Sequence, residues 1–232
     1  RIKKEILKKT KSKSDFFYYE LIKNKNKLRR IERVTDFSKK AKNLICAKKT
    51  LSLIGNLEEK KYILFKDKLN FKFPGGKGYL PHIDGHFYWR DNNKKYQDGW
   101  KKYSSNFINL VLPLESSNIK NGCIYVANKN DTKKIGSNFS GIAKKLIINT
   151  PNIKTKDFKK FKFSPIELNV GDICLFNWKC AHYSENNYSN KSRMIFYATF
   201  CKKNKNKNLR VKYYYDKQTS YNSKKNKSLL FT

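Results

Sequence analysis

The chain has 232 residues and a mass of 27.5 kDa, enough for one domain with a full apolar core. No run of about 18 apolar residues occurs, so a membrane-spanning helix is excluded. The five cysteines (Cys46, Cys123, Cys174, Cys180 and Cys201) form no C-x-x-C pair and are odd in number, which argues against a disulfide framework and for free thiols in a reducing, cytoplasmic setting.

The formal charge of +35 admits a nucleic acid, an anionic surface or an acidic small molecule as partner. Only seven of the 53 basic residues are arginine. Nucleic-acid readers favour arginine, whose planar fork fits phosphates and guanine edges. Lysine, asparagine, isoleucine, tyrosine and phenylalanine are all plentiful, as AT-rich coding would produce. The charge is therefore read first as compositional bias, with nucleic acid kept as an alternative partner.

Residues 1–35 read as a basic N-terminal extension. Arg1–Ser14 lacks the apolar stretch of a secretory signal. Phe16, Phe17, Tyr18, Leu21 and Ile22 predict a short helix within 15–31, packed on the domain. A longer helix is expected over 36–54, capped by Asp36, with Phe37, Ala41, Leu44, Ile45, Leu51 and Ile54 as its apolar stripe and Gly55-Asn56 as its end.

The pattern then turns to β. Residues 61–73 alternate, with Leu69, Phe71 and Phe73 on one face and Lys68, Asn70 and Lys72 on the other. After the turn Pro74–Gly78, a strand over Tyr79–Asp84 carries His82 and Asp84 on one face. Residues 87–105 read as a polar loop containing Tyr88, Trp89 and Trp100. Phe107–Leu114 and Cys123–Ala127 are predicted strands, joined around Asn121-Gly122. Residues 128–162 read as a Lys- and Asn-rich surface excursion. Ile166–Leu168, Ile173–Trp178 and Met194–Cys201 return to strand character, and residues 219–232 form a polar, basic tail. Many short strands after N-terminal helices predict a mainly β fold with a double-sheet jelly-roll core over residues 36–218.

Of three histidines, two fall into a pattern: His82-Ile83-Asp84 and, a hundred residues on, His182. Two histidines and one carboxylate can hold Fe(II) on one face and leave three positions open for a chelating co-substrate and O₂. Arg193, at the start of the next strand, can clamp a carboxylate bidentately.

These motifs resemble the phytanoyl-CoA dioxygenase family of Fe(II)/2-oxoglutarate oxygenases. The likeness is carried by FKDKLNFKFPGGKGYLPHIDGHF (65–87), LPLESSNIKNGCIYV (112–126), GDICLFNWKCAHYSENNYSNKSRMIFYATF (171–200) and YYYDKQ (213–218). It implies a double-stranded β-helix, cupin-like core. It implies His82, Asp84 and His182 as iron ligands, and Arg193, with Ser184 nearby, as the holder of the distal carboxylate of 2-oxoglutarate. Lys72 matches a position that commonly contacts this co-substrate. Where the family often has Gln, this chain has Ile83, whose side chain should point away from the metal. Related halogenases carry a small residue in place of the carboxylate, so Asp84 favours hydroxylation.

Lys66, Lys68, His86 and Trp100 are weaker candidates for the substrate side; solvated lysines, a loop histidine and a packing tryptophan are the competing readings. The implied reaction consumes 2-oxoglutarate and O₂, releases succinate and CO₂, and oxidises a C–H bond of a small, anionic molecule. The alternatives are a nucleic-acid-directed oxygenase or nucleic-acid-binding protein, favoured by the charge, and a catalytically inactive family member acting as a binding protein. Retention of His82, Asp84, His182 and Arg193 argues against the last.

Overall fold

The computed structural model describes residues 5, 16–58, 61–85, 88–90, 95–132, 153, 155–204 and 208–221. Twelve strands form among them: β1 (Phe17–Ile22), β2 (Lys25–Glu32), β3 (Tyr62–Lys72), β4 (Tyr79–Ile83), β5 (Tyr88–Arg90), β6 (Tyr96–Asp98), β7 (Phe107–Pro113), β8 (Ile124–Ala127), β9 (Phe163–Ile166), β10 (Cys174–Asn177), β11 (Ala181–Ser184) and β12 (Arg193–Lys202). The helices are α1 (Val34–Phe37), α2 (Lys39–Ile45), α3 (Lys48–Glu58), α4 (Thr155–Phe158) and α5 (Leu209–Asp216), the last running into a wider turn over Lys217–Tyr221. No described helix is long and apolar enough to cross a membrane.

A large sheet, ordered β1-β2-β3-β12-β7-β10, faces a smaller one, ordered β4-β11-β8-β9. The chain crosses between them at β3–β4, between β4 and β7 by way of the separate β5–β6 pair, and at β7–β8, β9–β10, β10–β11 and β11–β12, which is the double-stranded β-helix expected from the sequence. Strand alternation sorts the side chains. On the outer face of the large sheet, Met194, Phe196 and Ala198 of β12 join Leu69 and Phe71 of β3 against Ala41, Ile45 and Ile54 of the helices. The intervening residues of β12 point inward, where Ile195 meets Val111, Ile124 and Phe176 between the sheets.

One end of this sandwich is closed by aromatic packing. The β3–β12 register shifts between Thr199 and Phe200, so that Thr199 lies opposite Lys66 and Phe200 opposite Leu64. The skipped residue, Phe65, is fully buried. Its ring centre lies 4.5 Å from that of Tyr213, 5.0 Å from Phe107, 5.3 Å from Tyr103 and 5.6 Å from Trp100. Helix α5 thereby contributes to the core, and Arg210 ties it to β3 through Asp67 at 2.7 Å.

Several expectations change. No helix forms within 16–32; residues assigned to the N-terminal extension instead supply β1 and β2, which extend the large sheet. Lys23 and Asn24 both take positive φ, 48° and 59°, the two-residue hairpin turn whose twist matches that of paired strands. The single helix over 36–54 is three short ones. Its cap is not Asp36: the Ser38 side chain accepts from the Ala41 N–H at 3.1 Å, and Gly55-Asn56 lies inside α3. The loop over 87–105 contains the β5–β6 hairpin. Of the 128–162 excursion, 133–152 and 154 lie outside the described residues, whereas Ile153 and Phe161 pack with Ile83, Ala127 and Ala181 on the small sheet. Ser38 is fully buried, so Ser38→Ala should lower stability by about 1 kcal/mol in urea unfolding, with an unchanged slope.

Candidate active site

The two expected histidines are brought together by strand pairing. In the β4–β11 ladder His82 lies opposite His182, and the rings are 4.3 Å apart between centres. Asp84 follows β4 on the same side, and Gly85 then turns the chain with φ +72°. A side chain at Gly85 would also meet Trp100 at 2.8 Å. One ligand atom from each of His82, Asp84 and His182 falls within 4.8 Å of the others. Ile83, between the inward-facing pair, packs on the opposite face of the small sheet, as the alternation requires.

Hydrogen bonds orient each ligand. His82 Nδ1 lies 2.6 Å from Leu80 O, and His182 Nδ1 lies 3.0 Å from Cys180 O. With Nδ1–H donating to a carbonyl, Nε2 is the nitrogen left for a metal. Burial, reinforced by His182, pushes His82 down to about 3, and burial also lowers His182. Both rings are therefore neutral near pH 7, the state that ligates. Burial works against ionising Asp84, but Lys66, His182 and Lys68 hold it below the usual carboxylate range.

Asp84 has a further support that the sequence reading missed. Asn109 of β7 donates from Nδ2 to Asp84 Oδ2 at 2.9 Å, and Thr199 of β12 donates to Asn109 Oδ1 at 2.7 Å. All three residues are buried. Their signal was present: Asn109 and Thr199 are polar residues inside the apolar runs FINLVLPL and MIFYATF.

These residues line a cleft of about 470 Å³ that opens to solvent, together with Lys66, Lys68, Asn70, Tyr79, Phe176, Ser184 and Tyr197. Arg193 lies on the same face of β12 as Tyr197 and Thr199 and is bonded to the Tyr197 side chain. It is 1% exposed, yet its Nε and Nη1 have no hydrogen-bond partner among the described residues. Asn70 Oδ1 and Tyr79 Oη are likewise buried and unpartnered. Unsatisfied groups of this kind are costly, and an anion at this end of the cleft would satisfy the guanidinium.

Lys72 is held by bonds within the protein. Its Nζ lies 2.9 Å from Ser184 Oγ and 3.1 Å from Gly122 O, and it also donates to Glu185 O. Burial, with Arg193 and Arg29 close by, pushes its pKa down. Lys72 thus ties β3 to the chain after β11. Ser184 Oγ accepts from Lys72 and from Tyr79 N, which leaves its own proton to donate into the cleft. Lys66 and Lys68 do face the cleft; burial lowers them to about 7 and about 8. Trp100 packs in the aromatic core beneath Lys66, whose Nζ is 3.9 Å from the ring centre. His86 lies outside the described residues.

Two imidazoles and one carboxylate at the mouth of a double-stranded β-helix define the class of non-haem iron oxygenases. The family model described as "Phytanoyl-CoA dioxygenase (PhyH)" matches residues 1–195, and the chain belongs to that family within the Fe(II)/2-oxoglutarate oxygenase superfamily. It is 28% identical over 194 residues to the 2-aminoethylphosphonate dioxygenase of uncultured bacterium HF130_AEPn_1, covering 83% of this chain and 65% of that protein. It is 24% identical over 192 residues to the methylphosphonate hydroxylase of Gimesia maris, covering 83% of this chain and 65% of that protein. Both alignments span slightly less than two thirds of the relatives' length. Among solved structures, EctD from S. alaskensis with bound Fe shares the fold with a TM-score of 0.62 at 13% identity, over 87% of this chain and 66% of EctD.

Proposed function

We propose that this protein is an Fe(II)- and 2-oxoglutarate-dependent oxygenase that hydroxylates a C–H bond of a small anionic molecule. The observation that carries the reading is the facing pair His82 and His182 with Asp84, each held by a second hydrogen-bonded group. The donor set fits iron: two neutral imidazoles and one carboxylate, with hard and borderline ligands on one side. Bound iron, with 2-oxoglutarate and O₂, supplies the oxidising chemistry: one oxygen atom goes to succinate as CO₂ leaves, and the other goes to the substrate as a hydroxyl.

The chain's own residues do the rest. His82, Asp84 and His182 hold the ion, with Leu80 O, Cys180 O and Asn109 fixing their orientation. Arg193 takes the distal carboxylate of 2-oxoglutarate, with the Tyr197 side chain bonded to it and the Ser184 hydroxyl as a further donor. Phe176, edge-on to the His182 ring at 5.1 Å, and Ile124 present apolar surface that keeps water from the reacting centre. The phosphonates named for two relatives support an anionic substrate.

The test is succinate release from 2-oxoglutarate with Fe(II) in air. Wild-type protein should turn over, slowly even without substrate, and His82→Ala should not. Equal rates in the two proteins would refute the reading.

A further inference from the structure

Beyond the end assigned to the co-substrate, the cleft holds two more cations. Lys66 and Lys68 are two residues apart on β3 and project from the same face of the strand into the cleft. Side chains so spaced leave a strand about 6.6 Å apart, close enough for two ammoniums to share one anion. Lys66 Nζ is 3.7 Å from Asp84 Oδ1 and rests on the Trp100 ring, which favours the cation and limits its movement. Lys68 Nζ lies 5.4 Å from the Tyr197 ring centre. Asp84 is the one carboxylate among the described residues lining the cleft. Glu32, the other carboxylate that acts on both lysines, is already engaged by Lys217 and by Arg30 at 3.5 Å.

With Lys66 and Lys68 protonated, and Lys72 neutral because burial pushes it down to about 6, the charges do not balance without a substrate. A divalent metal and Asp84 leave one positive charge. Arg193 with doubly ionised 2-oxoglutarate leaves one negative charge, and these two cancel. The two lysines remain, partly buried, with Asp84 committed to the metal. Burial lowers both amines towards neutrality, and an anion between them would hold both in the charged form.

We infer that Lys66 and Lys68 form a substrate subsite for a doubly charged headgroup, a phosphonate or phosphate, and that they select it over a singly charged one. This rests on the reading of the cleft as an iron and 2-oxoglutarate site. A doubly ionised phosphorus oxyanion offers three equivalent oxygens, enough to bridge two ammoniums, which bind phosphate as point charges. The placement also sets where oxidation falls. An anion on Lys66 sits beside Asp84, so the carbon presented to the metal is within a few bonds of the headgroup.

The test uses the full chain loaded with Zn(II) and 2-oxoglutarate, so that binding is read without turnover. Ethylphosphonate and ethanesulfonate have nearly the same shape, but at about pH 8 only the phosphonate takes a second charge, while Lys68 is still partly protonated and a bound dianion draws protons onto both amines. Calorimetry at such a pH should find ethylphosphonate bound about tenfold or more tighter than ethanesulfonate. Lys66→Met and Lys68→Met should each weaken ethylphosphonate by about tenfold and remove the preference, with 2-oxoglutarate affinity within about threefold of wild type. Equal affinity for the two probes, no binding of ethylphosphonate, or unchanged binding in both variants would overturn the subsite while leaving the co-substrate site standing. Failure of the wild type to bind 2-oxoglutarate would overturn both.

Discussion

Asp84→Ala should abolish succinate release and weaken metal binding by more than about 100-fold, a larger loss than outer-shell changes produce. Asp84 is the only anionic ligand of the three, so its removal leaves two neutral imidazoles to hold a dication. It also removes the partner of Lys66 at 3.7 Å and the acceptor of Asn109 at 2.9 Å. The cleft then holds two lysines and no carboxylate, a field that repels a metal ion. Anaerobic Fe(II) titration checks this directly. Asn109→Ala separates ligation from orientation: it keeps all three ligands and leaves Asp84 free to rotate. Its metal affinity should fall by about 10- to 100-fold, and Thr199 would then lose its acceptor at 2.7 Å. An Asn109→Ala protein with wild-type metal affinity would mean that the bond from Asn109 does not position Asp84.

The triad was legible in the sequence because metal chemistry restricts residue type and spacing together. His82 and Asp84 are two apart, so any strand presents them on one face, and His182 needed only a strand to pair with them. The alternation over 61–73 was equally plain. It gave the two faces of β3 correctly, with Leu69 and Phe71 against the helices. Nothing in that alternation says whether the other face meets water or a cleft. That depends on the facing sheet, which is a long-range property, so solvated lysine remained open for Lys66 and Lys68. Lys72 is a related case. Its position on the cleft face was readable, but its engagement by Gly122, Ser184 and Glu185 depends on turns 50 to 113 residues away. The hairpin over 17–32 was misread as a helix because its apolar residues cluster at one end. The informative part was Lys23-Asn24, a turn whose strain depends on φ and not on hydrophobicity.

Arg193→Met should move co-substrate affinity and ligand-free stability in opposite directions. Deleting a buried cation that pairs with a carboxylate costs about 2–5 kcal/mol of binding, or roughly 30-fold to several-thousand-fold in Kd. Titration of 2-oxoglutarate into the Zn(II)-loaded protein would read this. Wild-type Arg193 is almost fully buried, its Nε and Nη1 have no partner among the described residues, and it lies close enough to Lys72 to help lower that amine's pKa. Methionine keeps an unbranched apolar side chain at the position and removes these costs. It also loses the bond to Tyr197, so the net gain should be about 1–2 kcal/mol. The ligand-free variant should therefore unfold at a higher temperature than wild type. Adding 2-oxoglutarate with metal should raise the Tm of wild type and leave that of the variant nearly unchanged, because stabilisation follows ligand concentration over Kd. A variant less stable than wild type without ligand, yet with unaltered 2-oxoglutarate affinity, would make Arg193 a structural strut. The crossing of the two effects is what distinguishes a residue kept for a ligand from one kept for the fold.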